Sequence, residues 1–567
     1  NNLNKNISVL RQVLGEKPGA HRFIVTVPGS GYKFVADVRR VDDLETSVII
    51  GENPSRVVEE PLEAKSSVGR SGSNGRRAII AIGGIALIGI VLTAVYWRTR
   101  STGTVGDPNE TITSVAVLPF KPLVADDRNE ALELGMADSL ISKLSGGEIT
   151  VRPITSVRRF VDLEQDSVAA GRDLGVQAVL EGSIQNVAGQ VRISARLIRT
   201  SDGKQLWTGQ FDEKSADIFA VQDSISEKVV TALSLKLSTS DRARLTKRYT
   251  QNVEAYDLYL KGRFHQLKLT LPEAKQAAEF YDRAIQVDPS YALAFAGLAD
   301  VYRSFALTSD FPANETMPKA KAAAERAIAI DDSLAEAHAA LGFVIFFYDW
   351  NWREAEQEYL RGIELNPGSG DTRQAYAVLL SSQGRHADAI AQIQLARKLD
   401  PLSQVSAAFE GFILVKSGKT DDAISTLTKN IDTEPNFWLT HLFLSSAYIE
   451  KNMFAEAASE AGRSKELSAI SSQSSAYLAF ALARSGNRPE AEAALNQLLK
   501  LSEERYVPPH NIALIYNALG ETEKAIDLLD RGFAERDARM VFLKVEPQWK
   551  NLRDEPRFQN ILQRMNL

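Results

Sequence analysis

Apolar residues recur along this chain in four rhythms, and each predicts a different kind of element. In Asn1 to Gly15 the residues Leu3, Ile7, Leu10 and Leu14 return at helical spacing and Gly15 follows as a stop. A helix is expected there, with Asn1, Lys5, Ser8 and Gln12 on the face opposite the leucine stripe. Arg22 to Val27 and Tyr32 to Val35 alternate like two strands around Pro28-Gly29-Ser30-Gly31, which predicts a β-hairpin. Residues 39–77 keep no period and are rich in Ser, Gly, Glu and Arg, the pattern of a flexible linker. From Ala78 to Trp97 the polar face disappears: the stretch carries no charge, and at about 1.5 Å per residue a helix of this length reaches roughly 30 Å. A transmembrane helix over 78–97 is the expectation, bounded by Arg76 and Arg77 on one side and by Trp97, Arg98 and Arg100 on the other.

Residues 112–240 alternate strand and helix signals: a buried strand at Val115 to Phe120, a helix over Asn129 to Leu144, a short strand at Thr150 to Pro153, and a helix over Gln165 to Leu174. Three strands then follow in VQAVLEGSIQ, QVRISARLIRT and QLWTGQFDE, and a helix from Asp217 to Leu237 closes the unit. This is the pattern of a small α/β domain. Residues 253–567 carry the fourth rhythm, an internal repeat. Small residues stand at Ala299, Gly342, Ala377, Gly411, Ser445, Ala479 and Ala513, the last five spaced by 34, beside an all-Ala column at 277, 355, 389, 423, 457, 491 and 525. Two helices approach closely only where side chains are small, so such columns mark the crossing points of stacked helix pairs. Eight repeats and a terminal helix near Pro556 to Met565 are expected. The period is broken by an insertion around Ala306 to Pro318, by one extra residue near Trp350 to Trp352, and by Ala469, Glu503 and Asp537 where earlier repeats have proline.

Charge adds an asymmetry to this layout. The chain is -6 overall, but residues 1 to 40 hold Lys5, Arg11, Lys17, Arg22, Lys33, Arg39 and Arg40 against Glu16 and Asp37, a balance of +5 that leaves -11 for the rest. A polyanion partner therefore belongs to the amino-terminal end. Arg and Lys are also denser before the apolar stretch (Arg56, Lys65, Arg70, Arg76 and Arg77) than after it (Arg98, Arg100 and Lys121), which predicts a cytoplasmic amino terminus and an exported carboxy terminus. With no cysteine in the chain, disulfides, thiol nucleophiles and thiolate metal sites are excluded.

Three wordings resemble known families. The helix NLNKNISVLRQVLG followed by RFIVTVPGSGYKFVADV resembles the recognition helix and wing of an OmpR-type winged-helix DNA-binding domain, over residues 1–38. The resemblance implies that Asn1, Lys5, Ser8 and Gln12 face the major groove, with Asn2 beside them as a further DNA-binding residue and Arg11 and Lys33 on phosphates. It also implies that the family's earlier helices are missing ahead of Asn1, so that this partial winged helix binds DNA weakly and without sequence preference. VAVLPF, AAGRDLGVQAVLEGSIQ and RISARLIRTSDGKQLWTGQFDE look like the domain resembling the amino-terminal domain of TolB. The repeat of 34 residues resembles the tetratricopeptide repeat.

The chain has no Gly-rich phosphate loop ending in Lys-Ser/Thr, no His-Glu-x-x-His and no Gly-x-Ser-x-Gly. None of the six histidines stands at metal-ligand spacing. Neither an enzyme nor a cofactor or metal site is therefore expected, and Trp350, Trp352 and Trp438 are assigned to packing before a ligand groove. The fold class expected is multidomain: a partial winged helix, one transmembrane helix, a small α/β domain and an all-α tetratricopeptide-repeat superhelix. The whole resembles membrane-tethered regulators of the CadC and ToxR type. On that reading it is a single-pass inner-membrane protein that binds DNA in the cytoplasm and a protein or peptide on the concave groove of its exported repeats, with a homodimer allowed. The alternatives are an envelope repeat scaffold and an adenylate-cyclase-like signalling protein.

Overall fold

The computed structural model describes residues 24–27, 31–34, 112–123, 128–145, 149–161, 166–187, 190–214, 218–233, 245–268, 270–308, 310–468 and 471–567. The chain divides into two units, residues 1–97 and 98–567. In the first, β1 (Ile24–Val27) and β2 (Gly31–Phe34) form an antiparallel hairpin, with Ile24 opposite Phe34 and Val27 opposite Gly31. The alternating pattern of apolar and polar residues accounts for it. The recognition helix, the 39–77 linker and the apolar stretch 78–97 lie outside the described residues.

A single-pass inner-membrane location, with the amino terminus cytoplasmic and the carboxy terminus exported, does not stand: among the described residues no helix is long and apolar enough to cross a membrane. The physical reason is visible in the longest of them, Ala313–Ile330, which carries Glu315, Lys319, Lys321, Glu325 and Arg326 on its outer faces.

The second unit opens with β3 (Ser114–Val117) and β4 (Lys121–Pro122), then a helix Glu130–Leu144. Its start is fixed by a reciprocal cap: Asn129 Oδ1 accepts from the Leu132 N–H at 3.1 Å, and Glu133 Oε1 accepts from the Asn129 N–H at 3.1 Å. β5 (Thr150–Val151) and a helix Ser167–Asp173 lead to β6 (Ala178–Val187), β7 (Gln190–Arg199) and β8 (Gln205–Lys214). The sheet runs β5-β3-β6-β7-β8, with β4 also on β6. β3 pairs in parallel with β5 and β6, whereas β6, β7 and β8 are an antiparallel meander. Val115, Ala116, Val117 and Phe120 are completely buried, as an unbroken apolar run between two covered faces should be. The closing helix Ile218–Ala232 is shorter than the Asp217 to Leu237 that periodicity suggested.

Eight helix pairs follow among the described residues: Val253–Gln266 with Leu271–Val287, Ala292–Thr308 with Ala313–Ile330, Ala335–Val344 with Trp352–Leu365, and Gly370–Ser382 with His386–Leu399 in the first four repeats. Gln404–Lys416 with Thr420–Thr433, Trp438–Glu450 with Phe454–Leu467, Ser472–Arg484 with Arg488–Glu504, and Pro509–Ala518 with Thr522–Ala534 complete the array. This is a helical superhelix of tetratricopeptide type beside a small sheet domain. Every member of the all-Ala column is 0% exposed, as are Ala299, Ala377, Ser445, Ala479 and Ala513. Ser445 is tolerated at a crossing because its hydroxyl donates to the Ala457 carbonyl at 2.8 Å across it.

The turn after the first helix of a repeat reaches the left-handed region at Trp350, Gly384, Gly418, Asn452, Gly486 and Gly520, again every 34 residues. In the third repeat the small residue Gly342 lies eight positions before this turn, where the next repeat needs seven from Ala377. The extra residue is absorbed as a π-helical turn over Ile345–Asp349, and Trp350 takes the position that glycine occupies in four of the other five.

Candidate functional site

Stacked helix pairs leave an inner face built from the first helix of each repeat, the surface on which a partner was expected. In this chain that face is filled by the chain's own carboxy-terminal end. After the last helix pair, Asp537 caps a 3₁₀ turn, Ala538–Phe542, accepting from the Arg539 N–H at 3.0 Å. A second 3₁₀ turn, Pro547–Leu552, and a helix Pro556–Arg564 come next. The Phe542 ring meets Phe412 of repeat five edge-on at 5.1 Å and Phe347 of repeat three at 6.1 Å. Glu546 pairs with Lys416 at 3.2 Å, with the two side chains 4% and 0% exposed. Gln548 donates to Ser446 of repeat six at 3.1 Å, and Trp549, wholly buried, stands edge-on to His510 of repeat eight at 5.3 Å.

Burial holds the Lys416 ammonium below its usual range. Burial also opposes ionisation of Glu546, yet Lys416 and His510 beside it bring its carboxyl down to about 2. Each of the two charges thus offsets part of the other's cost of burial.

The two insertions in the repeat period are points where early repeats meet late ones or the end of the chain. Asp310, in the insertion of repeat two, accepts from the Ser472 N–H of repeat seven at 2.9 and 3.2 Å and lies 3.3 Å from Arg505. At the extra residue of repeat three, Arg536 lies 4.2 Å above the Trp350 ring and donates to the Tyr348 carbonyl at 3.2 Å. Trp352 Nε1 donates to the Met565 carbonyl at 2.9 Å. Trp350 and Trp352 thus close the superhelix on itself and line no open groove. The sequence signal for this was present: both insertions were visible, but not what they touch.

The sheet domain docks on the repeats at two places. Arg263 of the first repeat grips Asp138 through both oxygens at 2.7 and 3.0 Å, while Lys143 and Arg248 share Asp223 at 2.6 and 2.8 Å. A small pocket lined by Asp138, Lys143, Asp223, Arg248 and Tyr256 lies at this contact. Farther along, Arg152 donates to the Leu399 carbonyl and Ser156 to Asp400, at the turn between repeats four and five. Of the residues expected on DNA, Lys33 lies on β2 opposite Val25. Asn1, Asn2, Lys5, Ser8, Arg11 and Gln12 lie outside the described residues. No group of acidic and histidine side chains among the described residues is arranged to hold a metal.

Residues 111–228 match the second domain of HilA/YgeH-like transcriptional regulators. The sheet domain is thus similar to a transcriptional-regulator domain. Putative adenylate cyclase 3 of Rhizobium meliloti (strain 1021) is 31% identical over 250 residues, 43% of this chain and 42% of the relative, so the chain spans less than half the length of that protein. Among solved structures, yeast Tom70 aligns at 14% identity over 62% of this chain and 83% of its own, with a TM-score of 0.38. The Cut9-Hcn1 hetero-tetramer of the APC/C aligns at 16% over 62% and 66%, also at 0.38. At these scores the likeness carries no functional weight.

Proposed function

We propose that this chain is part of a DNA-binding transcriptional regulator whose regulator-like sheet domain and repeat array form the receiving half. The observation that carries the reading is the match of residues 111–228 to a transcriptional-regulator domain. The β1-β2 hairpin supports an OmpR-type wing within residues 1–38, as in CadC and ToxR. On this reading Asn1, Asn2, Lys5, Ser8 and Gln12 meet base edges or the adjoining backbone, and Arg11 and Lys33 meet phosphates. Residues 39–77 link this part to the rest of the chain, 112–240 form the sheet domain, and 253–567 form the repeats that meet a protein or peptide partner. Docking at Arg263–Asp138 and Ser156–Asp400 supplies a physical route by which a change in the repeats moves the sheet domain.

Gel-shift titration over a salt series tests the DNA part. Lys33→Ala and Arg11→Ala are each expected to lower the salt slope by about one, and Lys5→Ala to weaken binding. Slopes unchanged in all three variants would remove the assignment. A second reading, a role in nucleotide signalling, is favoured by the 31% identical putative adenylate cyclase. Cyclic nucleotide formed by the complete protein from ATP would select it.

A further inference from the structure

A capping segment covers the end of the last repeat and stops there. The stretch from Asp537 onward instead turns back and runs along the first helices of earlier repeats, in the position a bound peptide would hold. Three side chains at fixed spacing seat it: Phe542, Glu546 four residues on, and Trp549 three further. Phe542 enters between Phe412 and Phe347, Glu546 meets the buried ammonium of Lys416, and Trp549 lies against His510.

We infer that the inner face is a peptide-binding groove whose resident ligand is the chain's own segment Ala538–Leu552. A partner segment presenting an aromatic ring, a carboxylate four residues later and an indole three beyond that binds by displacing it. The inference rests on the repeat array being the receiving half of the protein and is independent of DNA binding.

The contact has the character of an exchangeable one. Beside the buried apolar side chains of Met540, Val541, Leu543 and Leu552, the segment carries an ion pair into the groove, and several buried polar atoms along it lack a hydrogen bond: both ring nitrogens of His510, Asn511 Oδ1, Gln548 Oε1 and Arg539 Nε. His510 Nε2 does lie 3.3 Å from Glu546, close enough for charge but without hydrogen-bond alignment. The ion pair fixes the register of the segment, and the unsatisfied polar atoms leave its release less costly than that of a wholly apolar strap of the same length. The lysine is the discriminating feature, because a segment without a carboxylate would leave it buried and uncompensated.

Hydrogen exchange by mass spectrometry on the full chain, with and without a synthetic peptide copying residues 538–552, tests this. The resident segment's amides are expected to exchange at least about tenfold faster than those of Leu442–Ala447 in repeat six, through local opening. Added peptide should raise their exchange further, and a peptide with Gln in place of the central Glu should not. In the double variant Lys416→Met/Glu546→Met, the wild-type peptide should lose its effect on the segment's exchange. A single common rate for the segment and repeat six in the wild-type chain, or indifference to the wild-type peptide, would overturn the inference. Both are read on the native protein, so folding of the variant is not required. Exchange of this kind in a chain that binds no DNA would remove the regulator reading alone; a common rate in a chain that binds DNA would remove only this one.

Discussion

Lys416 and Glu546 concentrate the energetics of the inner face in two residues. Glu546→Gln leaves an ammonium with 0% exposure and no counterion, and a loss of about 3–5 kcal/mol in urea unfolding is expected. Lys416→Met/Glu546→Met should cost less than Glu546→Gln, since neither charge then needs solvation and only the acceptor of the Trp549 Nε1–H, at 3.0 Å, is lost. A carboxyl lowered from 4.5 to about 2 on folding contributes stability that is complete above its unfolded value and is lost as pH falls through the folded one. The urea midpoint should therefore drop between about pH 4.5 and 2, and Glu546→Gln should flatten that limb. His338 and His441 act with the opposite sign. Each occupies the same place in its repeat, with Nδ1 2.6 Å from a carboxylate, Glu358 or Glu460, and Nε2 3.0 Å from a turn carbonyl. Those carboxylates raise both imidazoles above 6.5. Their contribution is complete below that pH and is lost as pH rises through the raised values, so the midpoint should fall with increasing pH there and cease to do so in His338→Gln/His441→Gln.

At the scale of elements, the turn after each first helix shows what one backbone position demands. Asn452 holds φ 59° where four other repeats use glycine, and its side chain is exposed. Asn452→Gly should gain up to about 1 kcal/mol by relieving the left-handed strain. Trp350 holds the same φ but is 3% exposed, with Phe533 at 5.0 Å and Arg536 above it. Trp350→Gly should instead lose about 2–4 kcal/mol, because the packing removed outweighs the strain relieved. Thermal melting of both variants checks the opposite signs. The helix crossings make the same point from the side of volume. A Cβ placed on Gly262 would stand 2.6 Å from the Tyr281 ring, so the close approach of that first helix pair depends on its absence.

For the repeat unit as a whole, closure changes how it should unfold. An open array unfolds as the sum of neighbouring repeats and frays from its ends. Here repeat two meets repeat seven through Asp310, and repeat three meets the carboxy terminus through Trp350 and Trp352. Tryptophan fluorescence and far-UV circular dichroism of the wild-type chain should give coincident urea transitions. Asp310→Ala, which removes both acceptors of the Ser472 N–H and a partner of Arg505, should separate them. Coincident transitions in that variant would show that the contact does not hold the ring.

The sequence by itself determined the elements and the repeat. Alternation marked β1 and β2, the buried run marked β3, and the small-residue columns marked the crossings, because each signal depends on neighbours a few residues away or on a fixed period. It could also locate the breaks at 306–318 and 350–352. Only the tertiary structure decided what fills the inner face. Contacts such as Lys416 to Glu546 and Asp310 to Ser472 join residues separated by 130 and 162 positions, and no periodicity records which distant side chains a closed superhelix brings together. A lysine on a repeat helix and a glutamate in a terminal segment each look like solvated charges in the sequence. Their pairing follows from where the chain turns after Asp537, and that turn is set by packing over the whole array.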